Sequence, residues 1–109
     1  MVNPIVIKDA ENNREYTLEF DRDSVRFAES RGFKLEQVDE FPMTKIPEFF
    51  WYAFRMHHKY IALNQAEDIL RQIGGMNEKI AKRLIELWAQ TYETLGTEEG
   101  KNPNMTVEL

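Results

Sequence analysis

Apolar and polar residues alternate over Glu15 to Phe20, with Tyr16, Leu18 and Phe20 on one side and Glu15, Thr17 and Glu19 on the other. That two-residue period belongs to a half-buried strand. Upstream, Pro4 to Lys8 is rich in β-branched residues, and the intervening DAENNR is a polar turn cluster. The pattern predicts a β-hairpin with one apolar face.

Beyond Phe20 the period lengthens. Asp21 or Asp23 can cap a short helix through SVRFAESR, because a carboxylate accepts from the orphan amides of a first turn, and Gly32 supplies the residue that ends it. Leu35 to Glu40 reads as a further helical turn or a loop, closed by Pro42. A helix is expected from a Thr44 cap, with Pro47 in its first turn, to about Ile61. Asn64 and Glu67 resemble a capping box for a helix that buries Ala66, Ile69, Leu70 and Ile73 and stops at Gly74 and Gly75. Asn77 caps a last, longer helix whose Ile80, Leu84, Leu87, Trp88, Thr91, Tyr92 and Leu95 keep the helical period. These elements define a mainly α, α+β fold: an N-terminal β-hairpin packed on a small bundle of about four helices. Residues 1–96 form the expected single globular domain, and 97–109, broken by Gly100 and Pro103, the expected flexible C-terminal tail.

Composition narrows the chemistry. The chain has 109 residues, 42% hydrophobic and 30% charged, which suits one folded domain. No stretch approaches the roughly 20 apolar residues of a spanning helix, and the N-terminus has no basic region ahead of an apolar core, so a cytoplasmic protein is expected. Without cysteine, disulfides, thiolate metal sites and cysteine nucleophiles are excluded. The net charge of -5 comes from an acidic N-terminal stretch and tail around a balanced middle, which argues against a general phosphate-binding surface.

His57 and His58 are the only histidines. Adjacent helical positions point about 100° apart, and no ligand stands four residues from either, so a packed or half-exposed pair is expected rather than a metal site. His57 shares a helical stripe with Phe50, Phe54 and Ile61, which favours packing. Ser24 and Ser30 lie in no nucleophile turn, and Gly74-Gly75 is followed by no phosphate-loop lysine. No enzymatic site, metal or cofactor is expected. Arg22, Arg26, Arg31 and Lys34 surround Phe27 and Phe33, but Asp21, Asp23 and Glu29 are interleaved, giving a salt-linked face rather than a nucleic-acid surface.

The stretch FFWYAFRMHHKY at 49–60 differs in kind. As one helix it would carry Phe49, Ala53, Met56 and Tyr60 on one stripe and Phe50, Phe54, His57 and Ile61 on the next, with Trp51 and Tyr52 outside both. A helix apolar nearly all round is either covered on several sides or presents a second face to a partner, and Trp, Tyr, Arg and Met are enriched at interfaces. In a domain this small a fully covered central helix is the favoured arrangement; on the rival interface reading Phe49, Trp51, Tyr52, Arg55 and Met56 are the expected partner-binding residues.

YTLEFDRDSVRFAESRGF at 16–33, followed by IPEFFWYAFRMHHKYIALNQAEDIL at 46–70, resembles the tail assembly chaperones of long-tailed phages and prophages over about the first two thirds of the chain. The resemblance implies a non-enzymatic protein of the host bacterial cytoplasm, absent from the mature virion. Its partner would be the aggregation-prone tape measure protein, with tail tube subunits as a second client and self-association left open. Such proteins are often also made in a longer, frameshifted form, and Glu99-Gly100-Lys101 permits codons of the slippery kind. Family members are usually more helical at the N-terminus than this hairpin. Two other classes stay open: a small nucleic-acid-associated regulator using Asp23 to Gly32, and a structural tail-completion or connector protein.

Overall fold

The alternation of residues 15–20 becomes strand β2 (Arg14–Leu18), paired antiparallel with β1 (Ile5–Asp9) in a register that sets Ile5 opposite Leu18 and Ile7 opposite Tyr16. In this computed structural model the described residues are 1–93, 104–105 and 108–109. Among them, five helices follow the hairpin: α1 (Arg22–Ser30), α2 (Gln37–Glu40), α3 (Pro42–Tyr52), α4 (Leu63–Gln72) and α5 (Glu78–Glu93). The fold is α+β and mainly α, and of the two alternatives for Leu35 to Glu40 the helical turn is realised as the four-residue α2. The domain end at residue 96, and the tail expected over 97–109 apart from Asn104, Met105, Glu108 and Leu109, lie outside the described residues.

Both ends of α1 form as their residues dictate. Asp21 Oδ1 accepts the Ser24 N–H at 2.8 Å and Ser24 Oγ accepts the Asp21 N–H at 2.9 Å, a reciprocal cap. At the other end Gly32, at φ +85°, donates to Glu29 O while Phe33 donates to Ala28 O, which is the Schellman arrangement. Phe33 is thereby turned into the core at 2% exposure. Gly74 and Gly75 end α4 in the same way, through Arg71 O and Leu70 O. The start of α4 differs from expectation. Ala62 is extended and its N–H donates to Gln65 Oε1 at 2.8 Å, so Gln65 does the capping and Asn64 sits inside the first turn. Asn77 Oδ1 caps α5 by accepting the Ile80 N–H.

The core is an aromatic stack with strands and helices around it. Phe49 lies nearly parallel to Phe20 on one side (centroids 5.5 Å, 12°) and to Phe33 on the other (5.8 Å, 13°). Trp88 of α5 stands edge-on to all three. Such pairs contribute about 0.5–1.5 kcal/mol each beyond the burial of their area. The stack ties together β2, α3, α5 and the turn after α1.

Helix α3 departs most from its expected limits. It begins at Pro42, whose missing N–H is an orphan position anyway, so Thr44 is no cap and Pro47 lies inside the helix. It ends at Tyr52, nine residues short of Ile61. From there the chain tightens, with Phe54 donating to Trp51 O, Arg55 to Tyr52 O and His57 to Phe54 O. The reason is non-local: the Ala53 carbonyl accepts the Glu19 N–H at 3.0 Å, and His58 Nε2 accepts the Thr17 N–H at 2.9 Å. Thr17 and Glu19 direct these groups away from β1, along what would be an open sheet edge. Residues 53–58 cover that edge and satisfy its donors, which a continued helix could not do.

Candidate interaction surfaces

The structure redistributes the five residues expected to bind a partner: Phe49, Trp51 and Tyr52 lie in α3, and Arg55 and Met56 beyond its end. Phe49 and Tyr52, each 1% exposed, are core residues and not surface ones. Tyr52 lies inside α3, three residues after Phe49, so the two are neighbours on one side of the helix although the stripes left Tyr52 out. In the structure its ring stands edge-on to Phe33 and Phe27, which close over it. Trp51 is half-buried, its indole N–H donating to Ile61 O at 2.8 Å. Arg55 and Met56 remain at the surface, half-covered, and share one groove.

That groove, about 450 Å³, opens between α1 and residues 55–59. Its walls carry Arg26, Arg55 and Lys59 with Phe27 and Met56, and the carboxylates of Asp21 and Asp23. The Arg55 guanidinium carbon lies 3.7 Å from the centre of the Phe27 ring, and Arg31 lies against Phe27 and Trp51 at 5.7 and 5.4 Å. A guanidinium over an aromatic face is held by the ring quadrupole, which contributes about 0.5–1 kcal/mol where water has access.

A second opening, of about 290 Å³, lies between the α2 region and α5. Leu35, Val38, Met76, Ala81 and Ile85 line it, Phe49 forms its floor, and Glu36 and Asp39 supply the charge. Ile85 is 45% exposed. Sequence reasoning missed this surface, although one signal was present: Ile85 is an apolar residue off the core stripe of α5. Leu35 and Val38 stand three residues apart, the spacing of one helical face.

The histidines sit apart from both openings in role. His58 is half-buried, edge-on to Tyr16 at 5.5 Å, with Nε2 occupied by the Thr17 N–H. Desolvation by burial, and then the neighbouring His57, hold its pKa below the ordinary histidine value. Accepting a backbone N–H acts in the same sense, since only the unprotonated nitrogen can do so. His57 does not pack in the core as its stripe suggested. It is exposed, with Nε2 2.9 Å from Glu19 Oε1. The two rings thus face different partners, Thr17 within β2 and Glu19 just past its end. No helix among the described residues is long and apolar enough to cross a membrane.

The whole chain, residues 1–109, matches the family described as Domain of unknown function (DUF5055), and the protein belongs to that family. Neither the curated proteins nor the solved structures contain a significant match.

Proposed function

We propose that this DUF5055 protein is a phage or prophage tail assembly chaperone, an interaction protein without catalytic activity. In this reading it holds an apolar segment of the tape measure protein, and tail tube subunits as a second client, in the host cytoplasm and is left behind by the finished virion. The observation that carries the reading is the open apolar groove between the α2 region and α5. Burial of Met76, Ala81 and Ile85 by a client would remove apolar surface from water on both sides, which is the driving force such a chaperone uses. The net charge of -5 keeps the carrier soluble while that surface is open. The resemblance of residues 16–33 and 46–70 to the tail chaperones supports the same assignment.

Co-expression with a tape measure protein encoded in the same genome tests the proposal. The expected result is a soluble complex that co-purifies and that Ile85→Glu weakens while the variant keeps its helical circular dichroism. No association under co-expression refutes the chaperone reading. Recovery of the protein from purified virions would instead favour the tail-completion or connector role.

A further inference from the structure

The groove between α1 and residues 55–59 shares no lining residue with the α2/α5 opening, and its chemistry is the reverse. Among the described residues, no carboxylate lies within 4.0 Å of a charged nitrogen of Arg26, Arg31, Arg55 or Lys59. This is unexpected on a chain with 19 acidic and 14 basic residues, where paired cations would be the easier arrangement. Asp21 is committed to the cap of α1. Asp23 is therefore the one groove carboxylate not engaged as the helix cap.

We propose that this groove is a docking site for an acidic polypeptide segment in which apolar residues are interspersed with Asp or Glu. Three features select that ligand. Stacking on Phe27 fixes the plane of the Arg55 fork, so less side-chain freedom is lost when it grips a carboxylate in two-point fashion. Met56 gives the same groove an apolar side chain against which the interspersed residues can pack. Arg26, Arg55 and Lys59 outnumber Asp21 and Asp23 in the lining, so the groove as a whole favours an anionic segment.

A nucleic acid fits less well on the same observations. The Phe27 face that a base would stack on is occupied by Arg55. A phosphodiester chain also carries a charge at every nucleotide and could not leave Asp21 and Asp23 unopposed.

The test is fluorescence anisotropy of the full chain with three labelled probes: a Glu-Leu-Glu-Ser repeat peptide, its Lys-for-Glu counterpart, and a single-stranded oligonucleotide of the same net charge as the first. The expected result is binding of the acidic peptide, weakened by added salt. Lys59→Glu should reduce it about tenfold and Lys59→Glu with Arg55→Glu should abolish it. Arg71→Glu on α4, whose cation pairs with Asp68, should leave it unchanged. Lys59 is exposed, so its single variant tests the site without disturbing the Phe27 stack. The proposal is overturned by no binding of the acidic peptide, by tighter binding of the oligonucleotide or the basic peptide, or by affinity indifferent to both charge reversals.

Discussion

His58 Nε2 accepts the backbone N–H of Thr17 at 2.9 Å, joining residues 41 positions apart in the chain. Beside it the Ala53 carbonyl takes the Glu19 N–H, so the free edge of β2 is closed by the turn that ends α3. His58→Ala removes an acceptor and leaves a part-buried donor unpaired, which costs about 1–3 kcal/mol. His58→Gln offers a side-chain oxygen and should recover part of that loss. Urea unfolding of the three proteins measures it, and the Thr17 amide should show faster hydrogen exchange in His58→Ala.

The same contact makes stability depend on pH. The folded-state pKa of His58 lies below its unfolded value near 6.5, chiefly because burial disfavours the charged form. Between the two values the unfolded chain binds more protons, so stability rises with pH across that window. This contribution is fully present above about pH 6.5. It is lost as pH falls through the lower, folded value. Comparing wild type with His58→Gln isolates it from the carboxylates: the difference between the two should be flat above neutrality and change as the solution is acidified below pH 6.5.

How far the sequence reveals this fold follows from where each determinant lies. The hairpin alternation, the Asp21 cap, the Gly32 and Gly74 stops and the Asn77 cap act within a few residues and are readable locally. The end of α3 is not, because AFRMHHKY carries no helix stop of its own. It is set by unpaired donors of β2, distant in sequence, and propensity yields to that tertiary demand. The wrong limit misplaced Tyr60: with α3 extended to Ile61 it lies on a stripe, and with α3 ended at Tyr52 it is 73% exposed. Tyr52 is a separate case, buried inside α3 because Phe33 and Phe27 close over a side that the stripes left out. Of the expected binding residues, Arg55 and Met56 line a groove and are half-covered.

Gly32→Ala should destabilise the protein by about 1–2 kcal/mol through the backbone alone, since φ is +85° and an added Cβ would meet nothing within 4 Å. A cavity or clash therefore plays no part. The variant should still fold to the same structure, with the loss appearing as a lower denaturation midpoint at unchanged m-value. Asp21→Ala at the other end of α1 should cost about 0.5–2 kcal/mol by the loss of its cap.

Phe54 and Tyr60 distinguish the observed end of α3 from a continuous helix to Ile61. Phe54 is fully buried, edge-on to Tyr16 at 5.7 Å and to Phe50 at 5.2 Å, where the turn passes under β2. Phe54→Ala should cost about 3–5 kcal/mol, because the emptied volume is walled by other rings that cannot collapse into it. Tyr60 is mostly in water and touches the rest of the molecule through an edge contact with His58 at 6.0 Å. Tyr60→Ala should therefore stay within about 0.5 kcal/mol of wild type. A helix running to Ile61 would place Tyr60 on the core stripe with Phe49 and Ala53 and make its truncation expensive. Thermal unfolding of both variants decides between the two geometries: a large loss for Phe54→Ala beside a negligible one for Tyr60→Ala is the signature of the chain turning at Ala53 to close the edge of β2.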